Sequence, residues 1–158
     1  MKFLHITSAN KHELQNTVNK YITSGKHVFL FIHSERCHFC TEALPIWKQL
    51  EGLLSHIKRD DVLVADININ TSTTLSSDIV NVGDIEGFPT ILYIHGEKKE
   101  EYNKEKRTTE FFMNWIETKI GHAVSSKSYT SKMRKQRGGY HKRHTKSMRK
   151  RRHTNKKK

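Results

Sequence analysis

The chain has 158 residues, enough for one domain of ordinary size with an appendage. Its formal net charge of +13 is unevenly placed: residues 1–126 carry 14 Lys and Arg against 16 Asp and Glu, whereas residues 127–158 carry 15 Lys and Arg and no acid. No apolar run approaches the roughly 18 residues of a membrane-spanning helix, and Met1 to Ile6 lack the apolar core of a secretory leader, which leads us to expect a soluble protein in a reducing, cytoplasmic or nuclear setting.

Phe3 to Ile6 reads as a short strand. Asn10 is placed to cap a helix over Lys11 to Thr23, with Leu14, Val18, Tyr21 and Ile22 on one face and Gly25 just past its end. His27 to Ile32 is almost wholly apolar, the pattern of a strand covered on both faces. A second helix is expected from about Cys37 to Ile57, with Leu44, Trp47, Leu50, Leu53 and Leu54 in register. Pro45 lies inside it and removes one backbone donor, so a kink is expected there. Val62 to Ile67 reads as a strand, and Thr71 to Val80, with Leu75 and Ile79 in register, as a polar helix. Thr90 to Ile94 is a strand that turns at His95-Gly96 into a hairpin ending near Tyr102. Thr108 or Thr109 caps a last helix with Phe111, Phe112, Trp115, Ile116 and Ile120 on its apolar face, stopped by Gly121. The order βαβαβαββα predicts an α/β fold: a mostly parallel sheet with an antiparallel edge and helices on both faces. The expected boundaries are a folded domain over 1–121 and a tail over 122–158. That tail is too poor in apolar residues to offset an ordering entropy of roughly 1–2 kcal/mol per residue, so it is expected to be disordered.

Cys37 and Cys40 are the only cysteines, three positions apart, where the apolar strand hands over to a helix. Unpaired backbone N–H groups and the positive end of the helix dipole favour a thiolate at such a place. The spacing also allows the pair to close into a disulfide. Beside a βαβ pattern this is a redox signature, not a structural staple. A closed zinc site would need four ligands, and His33 and His38 stand near with no second cysteine pair, so no metal is expected.

Three segments in order resemble the thioredoxin superfamily. They are the strand, Cys37-His38-Phe39-Cys40 and a helix with Pro45; then Gly87-Phe88-Pro89-Thr90 opening a strand; then Tyr102, Arg107-Thr108 and the helix through Phe111 and Ile116. Phe88-Pro89-Thr90 and the Arg107 segment are most similar to the catalytic domains of protein disulfide isomerases. The resemblance implies a thioredoxin-like fold and thiol–disulfide exchange on protein disulfides, with no cofactor. It implies that Cys37 attacks, that Cys40 resolves by forming the Cys37–Cys40 disulfide, and that Pro89 is a cis proline beside the cysteines. It also implies that the backbone there pairs with substrate, that Phe88 forms a wall, and that Arg107 assists Cys40. Its partners would be proteins bearing disulfides or thiols and an upstream redox partner.

The departures carry chemistry of their own. Arg36 stands where the family usually has Trp, and His38 follows the first cysteine directly. Both would favour a Cys37 thiolate and a more oxidising disulfide, nearer the isomerase value of about −180 mV than the thioredoxin value of about −270 mV. Phe31 stands where the family usually has a buried carboxylate as proton acceptor, so proton transfer should be slow or rerouted. His33 reads as packing, and Asp66, Asp78 and Asp84 read as cap or surface residues.

The tail points to a second role. Fifteen cations without an acid, with Tyr129, Tyr140 and a flexible Arg137-Gly138-Gly139, suit nucleic acid or another polyanion, bound without sequence preference. Lys142-Arg143 and Arg149 to Arg152 equally suit a nuclear address. The tail also resembles those on proteins of large DNA viruses, which adds a virus particle to the expected locations. The alternative to an enzyme is a redox-inactive adaptor or packaging protein that works through this tail.

Overall fold

The computed structural model describes residues 1–7, 9–69, 76–77, 80–81, 85–103 and 106–121. The chain divides after Val124, and the fold belongs to the first unit, Met1–Val124. The basic tail and the disorder expected of it lie outside the described residues, as do Asp78 and Asp84.

Among the described residues, seven strands and three helices follow one another: β1 (Lys2–Ile6), α1 (Lys11–Thr23), β2 (His27–His33), α2 (His38–Leu54), β3 (Val62–Asn68), β4 (Ser76–Ser77), β5 (Val80–Asn81), β6 (Thr90–His95), β7 (Lys98–Glu101) and α3 (Thr109–Lys119). Five strands form one sheet in the order β1-β3-β2-β6-β7. The first three are parallel, and β6 and β7 are antiparallel to their neighbours, which gives the mixed sheet expected. The helix expected over Thr71 to Val80 needs correction. Ser76–Ser77 and Val80–Asn81 are two-residue antiparallel strands, and the rest of the segment lies outside the described residues. Serine competes with helical hydrogen bonds through its hydroxyl, and apolar spacing alone did not weigh that.

Both faces of the sheet are covered, so β2 and β3 are buried along nearly their whole length. One face carries Leu30, Ile32, Leu63, Ile67, Leu92 and Ile94 against Val18 and Ile22 of α1. The other face is aromatic. Phe31 meets Trp47 of α2 at 5.4 Å between ring centroids, Phe29 meets Trp115 of α3 at 5.3 Å, and Trp47 meets Phe112 edge-on at 5.3 Å. Each such pair adds about 0.5–1.5 kcal/mol beyond its buried area.

The helix ends follow local chemistry. Asn10 is the residue before α1, but its side chain turns back to Thr7 and the His5 carbonyl instead of capping the helix. Thr108 does cap α3, its hydroxyl accepting from the Phe111 N–H. α2 runs unbroken through Pro45. Gly96, with φ of 59°, makes the β6–β7 turn that a side chain would strain. No described helix is long and apolar enough to cross a membrane.

Candidate active site

The site begins where β2 ends. Cys37 is the residue that caps α2, extended in backbone and partly exposed. Its Sγ and its carbonyl both accept from the Cys40 N–H, at 3.1 Å each, and its carbonyl also accepts from the Thr41 N–H at 3.3 Å. The sulfur therefore sits on an orphan donor of the first turn, where negative charge is favoured. Cys40 lies one turn on, on the buried face of α2 that continues through Ala43, Trp47, Leu50 and Leu54. Cys37 and Cys40 are joined as a disulfide across a Cα separation of 5.2 Å. One sulfur of the bond is thus open to a partner and the other is enclosed.

Around this bond, Arg36, His38 and Phe39 are exposed. The His38 ring points outward, 3.5 Å from Glu42 one turn along the helix. Phe39 is 63 % exposed, the large apolar side chain that the described fold leaves most in water.

The register places the second segment. Ile32 at the end of β2 pairs with Thr90 at the start of β6, so Pro89 stands at the same end of the sheet as the β2–α2 turn. The Phe88–Pro89 peptide bond is cis. Phe88, Pro89 and Arg107 line one cavity of about 690 Å³, together with Glu86, Lys99 and Glu101. Phe88 also packs against the α1-side core. Arg107 is close enough to the Tyr102 phenol to oppose the upward push that burial gives it. Among the described residues no hydrogen bond or ion pair joins Arg107 to Cys40.

Over residues 5–118 the chain matches the family described as Thioredoxin. It belongs to the thioredoxin family. It is 25 % identical over 107 residues to a thioredoxin domain-containing protein 5 homolog of Drosophila melanogaster, covering 68 % of this chain and 24 % of that protein. It is 24 % identical over 106 residues to protein disulfide isomerase-like 1-4 of Oryza sativa subsp. japonica, covering 67 % of this chain and 18 % of that protein. The chain thus spans about a quarter or less of these curated relatives. Among solved structures, the first thioredoxin domain of mouse protein disulfide-isomerase A4 superposes with a TM-score of 0.51 at 20 % identity, covering 72 % of each chain. That likeness establishes the fold.

One residue of this thioredoxin domain stands elsewhere than its sequence suggested. Asp66, read as a cap or surface residue, is 3 % exposed in the middle of β3. Its carboxylate hydrogen-bonds the His5 ring on β1 and lies 3.9 Å from His33 Nε2 on β2. His33 is more than a packing residue, because it faces this carboxylate. The missed signal was available. A charged residue inside the apolar run Val62 to Ile67 must be buried with a strand covered on both faces, and a buried carboxylate requires partners. Burial pushes the His33 imidazole pKa below its ordinary value, and Asp66 pulls against that push. Among the described residues no group of three or more His, Cys, Asp or Glu side chains is arranged to hold a metal ion.

Proposed function

We propose that this domain is a thiol–disulfide oxidoreductase acting on protein disulfides. The carrying observation is the Cys37–Cys40 disulfide at the start of α2, with Cys37 partly exposed on the Cys40 N–H and Cys40 buried beneath it. Reduced Cys37 attacks a substrate disulfide as thiolate, forming a mixed disulfide and releasing one substrate thiolate. Cys40 then displaces the second substrate sulfur and recloses the Cys37–Cys40 bond. An upstream redox partner restores the dithiol, and no cofactor enters either step.

Several neighbours support the reading. The exposed charge of Arg36 favours the Cys37 thiolate. The Phe88–Pro89 segment, at the same end of the sheet, offers backbone to an extended substrate strand. Phe39 gives that substrate an apolar contact beside the attacked bond. Arg107, in the cavity next to Pro89, is read as the residue that assists Cys40, as the resemblance implied. The names of the relatives, thioredoxin domain-containing protein and protein disulfide isomerase-like, agree with this chemistry.

Residues 127–158 are read as a tether to nucleic acid or another polyanion, on the strength of 15 cations and no acid. Insulin turbidity with dithiothreitol tests the enzyme. The wild-type chain should precipitate the B chain faster than dithiothreitol alone, and Cys37→Ser should not. A wild type no faster than dithiothreitol would leave the redox-inactive adaptor that works through its tail. Fluorescence anisotropy with a labelled DNA duplex tests the tether. Log affinity should fall with log salt by about 0.9 per phosphate engaged, and deletion of residues 127–158 should abolish binding.

A further inference from the structure

Three titratable side chains stand side by side on the α2-facing layer of the sheet. The register brings them there: His5 of β1 pairs with Asp66 of β3, Asp66 pairs with Phe31 of β2, and His33 follows Phe31 on the same face. One Asp66 oxygen meets His5 Nδ1 and the other lies 3.9 Å from His33 Nε2. On its far side His5 Nε2 lies 3.4 Å from Glu51 Oε2 of α2. Side-chain exposure along the line His33, Asp66, His5, Glu51 is 13, 5, 38 and 57 %, so it leads from the interior to water. A buried carboxylate costs several kcal/mol of desolvation, and an apolar residue would serve packing at least as well.

The inner end of the line, His33, is the last residue of β2, which leads through the turn into Cys37 and α2. The buried face of α2 carries Cys40 and, two turns on, Trp47, whose ring packs on Phe31. Cys40 therefore lies on the helix face that packs on β2, the strand whose last residue is His33. Cys40 is 3 % exposed, so bulk water has little access to its thiol proton.

Resting on the exchange reaction proposed above, we propose that His33 and Asp66, with His5, form the proton relay that serves Cys40 during resolution. In the mixed disulfide, Cys37 Sγ is bonded to a substrate sulfur and Cys40 carries S–H. The Cys40 proton passes to the His33 imidazole, and the Cys40 thiolate attacks Cys37 Sγ. The Cys37–substrate bond breaks as the Cys37–Cys40 bond forms, and the substrate sulfur leaves as thiolate with the electron pair. Over the whole exchange two electrons pass from the cysteine pair to the substrate disulfide. Asp66 holds the imidazolium, and the proton leaves through His5. Charged groups facing the relay are Lys48 and Glu51 on α2 and Glu35 on the β2–α2 turn. Burial, with Asp66 pulling against it, pushes the His33 imidazole below its ordinary value, which favours the neutral form that accepts a proton.

The test is a stopped-flow reaction of the reduced full chain with 5,5′-dithiobis(2-nitrobenzoate). Attack by Cys37 releases the first chromophore and resolution by Cys40 the second. In Asp66→Asn and His33→Gln the second phase should slow by about a hundredfold near neutral pH, with the first phase within about twofold of wild type. The deficit should narrow above about pH 9, where the Cys40 thiol ionises without the relay. Asp66→Glu should recover much of the rate. If Asp66→Asn does not fold, His33→Gln, at a strand end, decides. A second phase unchanged in His33→Gln, or both phases slowed alike, overturns the relay. A wild type that releases no second chromophore overturns the exchange reading itself.

Discussion

Phe31 of β2 and Asp66 of β3 stand opposite each other in the parallel ladder, so an aromatic ring and a buried carboxylate share the layer beneath α2. The ring is fully buried and packs on Trp47, tying the helix that bears the cysteines to the sheet. Phe31→Ala should cost about 3–5 kcal/mol. Urea denaturation should show a lower midpoint with an unchanged slope.

The site should hold Cys37 as a thiolate near neutrality. Its sulfur sits on the Cys40 N–H at the start of α2, beside Arg36. Alkylation by iodoacetamide against pH should give a Cys37 midpoint below the ordinary thiol value of about 8.5, and Arg36→Glu should raise it. Equilibration with glutathione should place the couple nearer about −180 mV than about −270 mV. A potential at or below the latter would contradict this electrostatic account.

The two cysteines, the strand before them and the helix after them were legible because each is a local pattern. The Cys-x-x-Cys spacing, the apolar run Val28 to Ile32 and the stripe through Trp47 need no distant partner. Asp66 was not legible in the same way. Its role depends on His5 and His33, 61 and 33 residues away, and parallel pairing alone brings them to its sides. The same holds for Pro89, whose place at the same end of the sheet as the β2–α2 turn comes from antiparallel pairing of β6 with β2. The segment at 71–80 failed for the opposite reason. Leu75 and Ile79 have helical spacing, but the hydroxyls of Ser76 and Ser77 between them compete with helical hydrogen bonds.

Stability should fall as the medium turns acid, through His27. Its ring stacks on His95 at 4.1 Å and bonds the Tyr93 hydroxyl at 2.8 Å. Burial first, and the neighbouring His95 second, hold its pKa below the ordinary imidazole value. The unfolded chain therefore binds the proton more readily. The contribution is complete above about pH 6.5 and shrinks as pH falls toward the depressed folded value. Urea midpoints from pH 7.5 to 5 should drop less steeply in His95→Gln than in wild type.

Arg59 should matter to the opposite end of the sheet. Its guanidinium holds both oxygens of Asp61, at 2.9 and 2.5 Å, and the Ile120 carbonyl at the end of α3, while its own carbonyl accepts from the Met1 amine. The Arg59 hydrogen bond is the main reason the Asp61 carboxyl is held down to about 2. The stabilisation is present above the unfolded value of about 3.9 and is lost as pH falls through about 2. Asp61 is partly exposed, so Arg59→Met should cost only about 1 kcal/mol at neutral pH, measured by urea denaturation.

The most direct measurement is capture of the mixed disulfide. The full chain with Cys40→Ser, reduced and mixed with a protein disulfide such as insulin, should form an adduct that non-reducing electrophoresis resolves. Peptide mapping should find it at Cys37, and Cys37→Ser should form none. Absence of an adduct in Cys40→Ser, with Cys37 shown to be reduced and alkylatable, would contradict exchange at this site.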